Sequence, residues 1–198
     1  MKKTVSVLVL IISCICTYGQ NSEVKNMLKE IEGQWSLDDN GNVTYQRIVE
    51  VPEMKKDDIY SRVLNYFVYN YGSGKSVIQT QDKENGQIIG KGLYEDLHTF
   101  SNGFGWIILS TWHIVRVDVK DGKARIILTL TEYSEDFKGS VSSHLVREEY
   151  PVNNDGNRKN ITGKSFYKSH LKAIASLNSI EKAIKEGNTS KKLEDDKW

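Results

Sequence analysis

The chain has 198 residues, of which 38% are hydrophobic and 27% are charged, and its formal net charge is +1. With a mean hydropathy of −0.49, this composition is typical of a globular protein. It excludes a polytopic membrane protein, a collagen-like chain and a low-complexity chain. A chain of this length buries enough surface to form one domain without disulfides or a structural metal.

The N-terminus has the pattern of a secretory signal peptide. Lys2 and Lys3 form a basic start, and residues 5–12 form an apolar run that is too short to span a bilayer. Small residues then precede an expected cleavage after Gly19. We therefore predict a signal peptide over residues 1–19 and a mature protein in the periplasm or cell envelope.

A lipid anchor is the alternative to simple cleavage. The segment that ends at Cys14 is similar to a bacterial lipobox, in which the cysteine is lipidated and becomes the N-terminus of an outer-membrane lipoprotein. Cleavage after Gly19 would instead remove Cys14 and Cys16, and with them thiol catalysis, disulfides and cysteine–metal sites. It would also lower the formal net charge from +1 to −1, because two lysines are lost. Since nucleic-acid binding requires a basic excess, we expect no nucleic acid among the partners.

The remaining chain alternates extended and helical patterns. Residues 20–34 predict a short helix or a spacer, residues 35–187 predict a domain, and residues 188–198 predict a polar tail. Alternating or β-branched runs bounded by turn residues predict strands. The predicted strands are residues 45–51, 76–82, 87–93, 106–120 and 123–133.

Two segments predict amphipathic helices. The first begins near Asp57 and Asp58, whose negative charges favour a helix N-terminus, and ends at Gly72. The second covers about residues 164–186 and carries a longer apolar stripe. Residues 136–163 are polar without a clear period, and the sequence leaves their structure open.

The Asp121-Gly122 turn fixes the register of the last two predicted strands. A two-residue turn of this kind places Lys120 opposite Lys123, and each step along one strand then matches a step along the other. One face becomes apolar and is expected to be the core. Its side chains are Val115, Val117 and Val119, opposite Leu128, Ile126 and Ala124, with His113 opposite Leu130. We expect His113 and His170 to be hydrogen-bonded core residues.

The other face of this hairpin is mixed and forms the candidate binding site. Asp118 lies opposite Arg125, a pairing that is common on solvent-facing sheets. Aromatic, cationic and hydroxyl side chains nearby have the mixture that recognises polar organic molecules or peptides. The candidate binding residues are Trp112, Arg116, Thr129, Thr131 and Tyr133. Ordinary packing of Trp112 against a neighbouring segment is the alternative.

The order strand, helix, four strands, helix predicts an α+β fold with two long helices packed on one face of an antiparallel sheet. Three segments carry a family resemblance: residues 35–45 (WSLDDNGNVTY), residues 48–51 (IVEV) leading into residues 56–60 (KDDIY), and residues 119–125 (VKDGKAR). They resemble a family of secreted Gram-negative bacterial proteins, domain of unknown function 4468, whose fold is similar to the TATA-box-binding protein. The resemblance spans roughly residues 35–133 and implies a TBP-like fold. It supplies no catalytic residues, and likeness to a DNA binder does not transfer DNA binding.

Catalytic chemistry has few candidates in this sequence. The histidines are not spaced to share a metal and no serine-nucleophile motif occurs, so we expect neither an enzyme nor a cofactor. A competing hypothesis is an enzyme site around His98, with Glu95 and Asp96 in a loop beside Gly103 and Gly105. The preferred hypothesis is a non-catalytic module that binds a partner protein or a small polar ligand through the mixed face. A structural homodimer closed through that face is the third.

Overall fold

The computed structural model describes residues 22–71, 76–101, 105–149 and 159–187. The predicted signal peptide, with Cys14, and the predicted polar tail lie outside these ranges. No helix within the described ranges is long and apolar enough to cross a membrane.

Within the described ranges, one antiparallel sheet of seven strands is accompanied by four helices. The strands are β1 (Ser36–Leu37), β2 (Val43–Glu50), β3 (Ser76–Asp82), β4 (Gln87–Ser101), β5 (Trp106–Lys120), β6 (Lys123–Phe137) and β7 (Ser140–Leu145). The helices are α1 (residues 22–30), α2 (Lys56–Asn70), α3 (Val146–Glu149) and α4 (Lys159–Glu186). The strand order is β1-β2-β6-β5-β4-β3, with β7 paired to the far end of β6. The predicted α+β class is confirmed.

Two of these strands were not in the predicted order. β1 has only two residues, and the side chains of β7 are mostly exposed, without the alternation that marks a half-buried strand. Neither strand therefore gives a periodic signal. Residues 136–149, within the stretch that the sequence left open, contain the end of β6, β7 and α3.

The turn between β5 and β6 has the predicted register. Gly122 adopts a φ of 74°, a conformation that glycine takes at little cost. Lys120 lies opposite Lys123, and the pairs continue without a break to His113 opposite Leu130. The faces of the sheet follow from this pairing, since side chains alternate along each strand.

The same turn holds the start of α2. The carboxylate of Asp121 accepts a hydrogen bond from the backbone N–H of Lys56 at 2.8 Å. The N–H of Gly122 donates to the carbonyl of Met54 at 2.9 Å. The hairpin therefore fixes the entry of the first long helix as well as the register of the sheet.

The predicted register is wrong beyond the point where this regular pairing ends. Trp112 lies opposite Glu132 and not opposite Thr131, because β6 has one extra residue at this position. Thr111 in turn lies opposite Tyr133. The bulge turns Tyr133 to the helix side of the sheet, where its side chain is completely buried.

Glycines on β4 allow α2 to approach the sheet. A Cβ at Gly92 would lie 2.9 Å from the imidazole of His113 and 3.0 Å from the ring of Tyr71. A Cβ at Gly90 would overlap the ring of Phe67. The aromatic side chains at the end of α2 therefore occupy space that a larger residue at position 90 or 92 would fill.

Hydrogen bonds join α4 to the same face of the sheet. The hydroxyl of Tyr45 is 3.2 Å from Nδ1 of His170, and the hydroxyl of Ser169 donates to that of Thr111 at 2.9 Å. These polar groups are buried and satisfied in pairs. The prediction of two helices on one face is confirmed, and so is the prediction of hydrogen-bonded core histidines.

The buried imidazole of His113 predicts a loss of stability in mild acid. Its Nε2 is 3.0 Å from the hydroxyl of Tyr71, and burial lowers the pKa of His113 to about 3. The pKa in the unfolded chain is about 6.5, so the unfolded state takes up a proton first as the pH falls. We expect the free energy of unfolding to drop by about 2 kcal/mol between pH 7.5 and pH 5 from this residue alone.

Chemical denaturation at several pH values tests this expectation. His113→Gln, which cannot take up the proton, should lose that part of the pH dependence. Burial also lowers the pKa values of His98 and His170, so a smaller slope of the same sign should remain. An unchanged slope in His113→Gln would contradict a neutral buried imidazole.

Candidate functional site

The face of the sheet that points away from α2 and α4, here called the open face, contains the predicted binding site. It carries the even-numbered residues of β2 and β5 and the odd-numbered residues of β4 up to Leu93 and of β6 up to Thr129. The rows across the sheet are Gln87–Asp118–Arg125–Ile48, Ile89–Arg116–Ile127–Gln46, Lys91–Ile114–Thr129–Thr44 and Leu93–Trp112–Glu132. The side chains of Arg116 and Arg125 are 44% and 46% exposed, so solvent reaches this face.

Arg116 lies at the centre of an apolar patch. Ile89 and Ile127 are opposite it on the two neighbouring strands, and Ile114 precedes it on the same face of β5. All three isoleucines are half-buried, so part of their apolar surface is presented around the guanidinium group. Grouped apolar surface with a polar border is typical of interaction sites.

Asp118 gathers the polar groups at one end of this patch. Its carboxylate accepts hydrogen bonds from Arg116 at 2.8 Å, from Arg125 at 2.7 Å and from Gln87 at 3.0 Å. Burial raises the pKa of Asp118, but these hydrogen bonds outweigh that effect and hold the pKa below its ordinary value. The predicted pairing of Asp118 with Arg125 is confirmed. The ionised carboxylate fixes the directions of both arginines.

Trp112 lies at the other end of the patch, opposite Leu93. The Nζ of Lys91 is 4.7 Å from the centroid of the indole ring. The same Nζ is 3.8 Å from a carboxylate oxygen of Glu132. The cation therefore lies against the indole, an attractive arrangement for an aromatic ring, and the half-buried tryptophan is held in place beside a charge pair.

The hydroxyl groups expected to bind a ligand are already hydrogen-bonded within the sheet. The hydroxyl of Thr129 is 3.0 Å from that of Thr44, and the hydroxyl of Thr131 donates to the carbonyl of Trp112 at 3.2 Å. Tyr133 is in the core, so its predicted place beside Trp112 is wrong. The residues that the open face brings together are Trp112, Arg116 and Thr129, with Thr131 at the bulge.

The contribution of β4 to this face was missed from the sequence. Ile89, Lys91 and Leu93 complete the patch, yet no two-residue turn joins β4 to β5 and fixes their register. β4 also continues to Ser101, beyond its predicted end. The available signal was the alternation over residues 89–93, where glycine takes every second position and leaves large side chains on one face only.

The competing site around His98 lies within β4 and not in a loop. The pairing with β5 is irregular just before His98. There Asp96 has a φ of 50°, and its N–H donates to the hydroxyl of Ser110 at 3.1 Å. Burial and two lysines of α4 lower the pKa of His98, while Glu95 and Asp96 are exposed. Gly103 lies outside the described ranges, within which no three His, Cys, Asp or Glu side chains are grouped to hold a metal.

Comparison with known families identifies the segment that builds this surface. Residues 45–134 match a family described as a domain of unknown function (DUF4468) with TBP-like fold. This segment is a DUF4468 domain. It runs from β2 through most of β6 and so contains nearly all of the open face. The family and the fold that the sequence resemblance implied are confirmed, and the description of the DUF4468 family assigns no function.

Two solved structures share the fold of this chain. A TBP-like protein from Parabacteroides distasonis is 18% identical, with a TM-score of 0.58 over 76% of this chain and 97% of its own. A DUF4468 family protein from Bacteroides ovatus is 15% identical, with a TM-score of 0.50 over 80% of this chain and 94% of its own. At these identities the likeness shows the fold alone. No curated protein matches the chain.

The carboxylate of Asp118 should stabilise the DUF4468 domain. Asp118→Asn weakens the hydrogen bonds from both arginines, and we expect the free energy of unfolding to fall by about 1 kcal/mol at neutral pH. Because the pKa of Asp118 is lowered in the folded state, its stabilising effect is present at neutral pH and is lost as acid protonates the carboxylate. The difference between wild type and variant should therefore shrink in acid.

Urea denaturation of both proteins measures this difference. Glu50→Gln makes the same chemical change at an exposed carboxylate of the open face and should alter stability by less than about 0.5 kcal/mol. Equal effects of the two substitutions would contradict a specific role of Asp118.

Proposed function

We propose that this chain is an exported, non-catalytic binding module of the bacterial cell envelope that recognises a partner protein through the open face. The observation that carries the proposal is the patch around Arg116. Its half-buried isoleucines present part of their surface to solvent, between the Asp118–Arg125 ion pair and the Lys91–Glu132 pair. The contacts of α2 and α4 lie on the other face. These two helices therefore leave the patch uncovered.

The composition and shape of the patch favour a protein over a small ligand. Protein interfaces have an apolar centre, a polar rim and an enrichment in tryptophan and arginine. Trp112 and Arg116 lie on one strand with isoleucines beside them, while Asp118 and Glu132 lie at the rim. The open face holds a cavity of about 290 Å³, but this lies at one end near the β5–β6 turn, away from Trp112.

The cations around the patch are paired in a way that disfavours nucleic acid. Arg116 and Arg125 both bind Asp118, and Lys91 is close to Glu132. Binding to phosphates requires cations that are free to replace counterions along the backbone. The paired arginines serve better as oriented donors within a protein interface.

The same pairing supports a non-catalytic role. General acid–base catalysis needs a group whose pKa lies near the working pH, whereas the pKa of Asp118 is lowered by its donors. Of the histidines, His113 and His170 are buried in the core, and His98 lies on the helix side of β4. None of these three belongs to the open face.

Substitution of Trp112 tests recognition by the open face. Trp112→Ala should lower recovery of the partner from envelope extracts of the native host by more than about tenfold, because buried tryptophans dominate interface energies. The matched control is Trp106→Ala, since Trp106 lies on the same face of β5, far from Arg116, and is 47% exposed. Wild type and Trp106→Ala should recover the same partner, identified by mass spectrometry.

The outcomes of this experiment separate the hypotheses. Equal recovery by Trp112→Ala, with an unchanged melting temperature, would remove the open face from partner binding. Sedimentation of the purified proteins tests the alternative of a homodimer. A wild-type dimer that Trp112→Ala dissociates would show that a second copy covers this face.

Export predicts a defined N-terminus of the mature protein. When the full chain is expressed in a Gram-negative host, we expect the recovered protein to begin at Gln20, because signal peptidase cleaves after small residues. Mass spectrometry of the intact protein measures this directly. A lipid-modified N-terminus at Cys14 would support the lipoprotein alternative, and a chain that retains Lys2 and Lys3 would contradict export.

A further inference from the structure

The outer edge of β2 is unpaired for most of its length. β1 pairs only with Val43 and Thr44, whereas β2 continues to Glu50. No other strand of the described residues lies beside this edge. The chain departs from the sheet just before β1, where Trp35 packs against Phe166 with the ring centroids 5.5 Å apart.

The hydrogen bonds at the two ends of β2 show which backbone groups face outwards. The N–H of Val51 donates to the carbonyl of Gly122, so the odd-numbered residues of β2 bond to β6. On the other side, the carbonyl of Asn42 accepts a hydrogen bond from the N–H of Asp38, as the alternation requires. The residues of the unpaired edge that direct N–H and C=O outwards are Gln46, Ile48 and Glu50.

This edge lacks two of the features that usually prevent the addition of a strand, a proline and a bulge. Natural edge strands are protected by proline, charged side chains (lysine above all), bulges or short length. Residues 45–50 contain neither proline nor lysine, and β2 pairs with β6 without a register shift. By contrast, β3 at the opposite edge is irregular between Ile78 and Thr80. β2 is therefore a regular template for a further strand.

A cavity lies beside this edge on the helix side of the sheet. Its volume is about 370 Å³, and its lining includes Trp35, Tyr45, Arg47, Ile174 and Leu177. The indole N–H of Trp35 is buried without a hydrogen-bond acceptor among the described residues. Because an unsatisfied buried donor is unfavourable, an occupant that carries an acceptor would be stabilised there.

We propose that the outer edge of β2 binds an extended segment of a partner polypeptide as an additional strand. The segment hydrogen-bonds to the outward backbone groups of β2 and places one side chain in the cavity beside Trp35. This mode of recognition combines main-chain hydrogen bonds, which give affinity, with a side-chain pocket that gives specificity. It uses backbone groups that the recognition surface around Arg116 does not use, so the two proposals stand or fall separately.

A second copy of this chain fits the edge less well than a single extended segment. Arg47 projects to the helix side and bonds to Asn178 at 2.6 Å and to Glu181 at 2.9 Å. Lys185 also bonds to Glu181, at 2.6 Å. Pairing of two β2 edges would bring two copies of this charged cluster together on the helix side of the sheet. An extended peptide has no helix to place there.

Proline substitution at an outward position tests the proposal. Immobilised full-length protein is used to select from a displayed library of random peptides of about ten residues, the length of a long strand. Ile48→Pro removes an outward N–H but leaves the ladder with β6 intact, and Ile48→Thr changes the side chain alone. We expect the selected peptides to bind wild type and Ile48→Thr alike, and to bind Ile48→Pro about tenfold more weakly.

Two further variants and a hydrogen-exchange measurement keep the test decisive. Gln46→Pro repeats it at a second outward N–H if Ile48→Pro does not fold, and Trp112→Ala should leave peptide binding unchanged. Bound peptide should also slow hydrogen exchange of the amides of Gln46, Ile48 and Glu50. Failure to select any peptide, or equal binding to the proline variants, would overturn the proposal. A wild-type dimer that Ile48→Pro dissociates would overturn it in favour of a second copy.

Discussion

The pairing of β5 with β6 is the constraint on which the rest of the sheet depends. Both strands have 15 residues, and side chains alternate between the two faces, so a slip by one residue would exchange Val117 with Arg116. The Asp121-Gly122 turn prevents such a slip, because it is held by backbone groups of Lys56 and Met54. The register of the sheet and the docking of α2 therefore stabilise each other. The core and the patch on the opposite face are two results of one pairing.

The bulge in β6 sets the limit of the open face. Before it, strict alternation sends Val115, Val117 and Val119 of β5 to the core and Ile114 and Arg116 to the open face. At the bulge, Leu130 and Tyr133 both turn towards the helices, although they are three positions apart in the sequence and strict alternation would place them on opposite faces. β4 has its own irregularity between Tyr94 and His98, one strand away at the same level. The rows of the open face consequently end at Trp112, which explains why this tryptophan lies at the border of the patch.

The parts of the fold that were predicted correctly are those with a local physical signal. A two-residue Asp-Gly turn determines a register, and helical periodicity determines an apolar stripe, so the core hairpin and both long helices followed from the sequence. Tyr133 was misplaced because a bulge is decided by packing: strict alternation puts it on the open face, whereas the space beside Thr111 on the helix side of the sheet accommodates it in the core. The spacing from Leu130 to Tyr133, which breaks the alternation of buried residues, was the one available sign. β4 was assigned only in part because its partner is not joined to it by a short turn.

The open face and the outer edge of β2 are adjacent surfaces of one sheet that present different groups. The open face presents side chains, and the edge presents backbone N–H and C=O groups. The open face presents side chains whose directions are fixed by ion pairs, so a partner bound there would be selected by its surface pattern. The edge presents backbone groups that any extended chain can bond, so the choice of a segment bound there would depend on the cavity beside Trp35. Ile48 belongs to both surfaces, with a side chain that is 49% exposed on the open face and backbone groups that point to the edge. A strand bound at the edge would add one residue to each row of the open face, because its side chains would alternate between the two faces in the same register as those of β2.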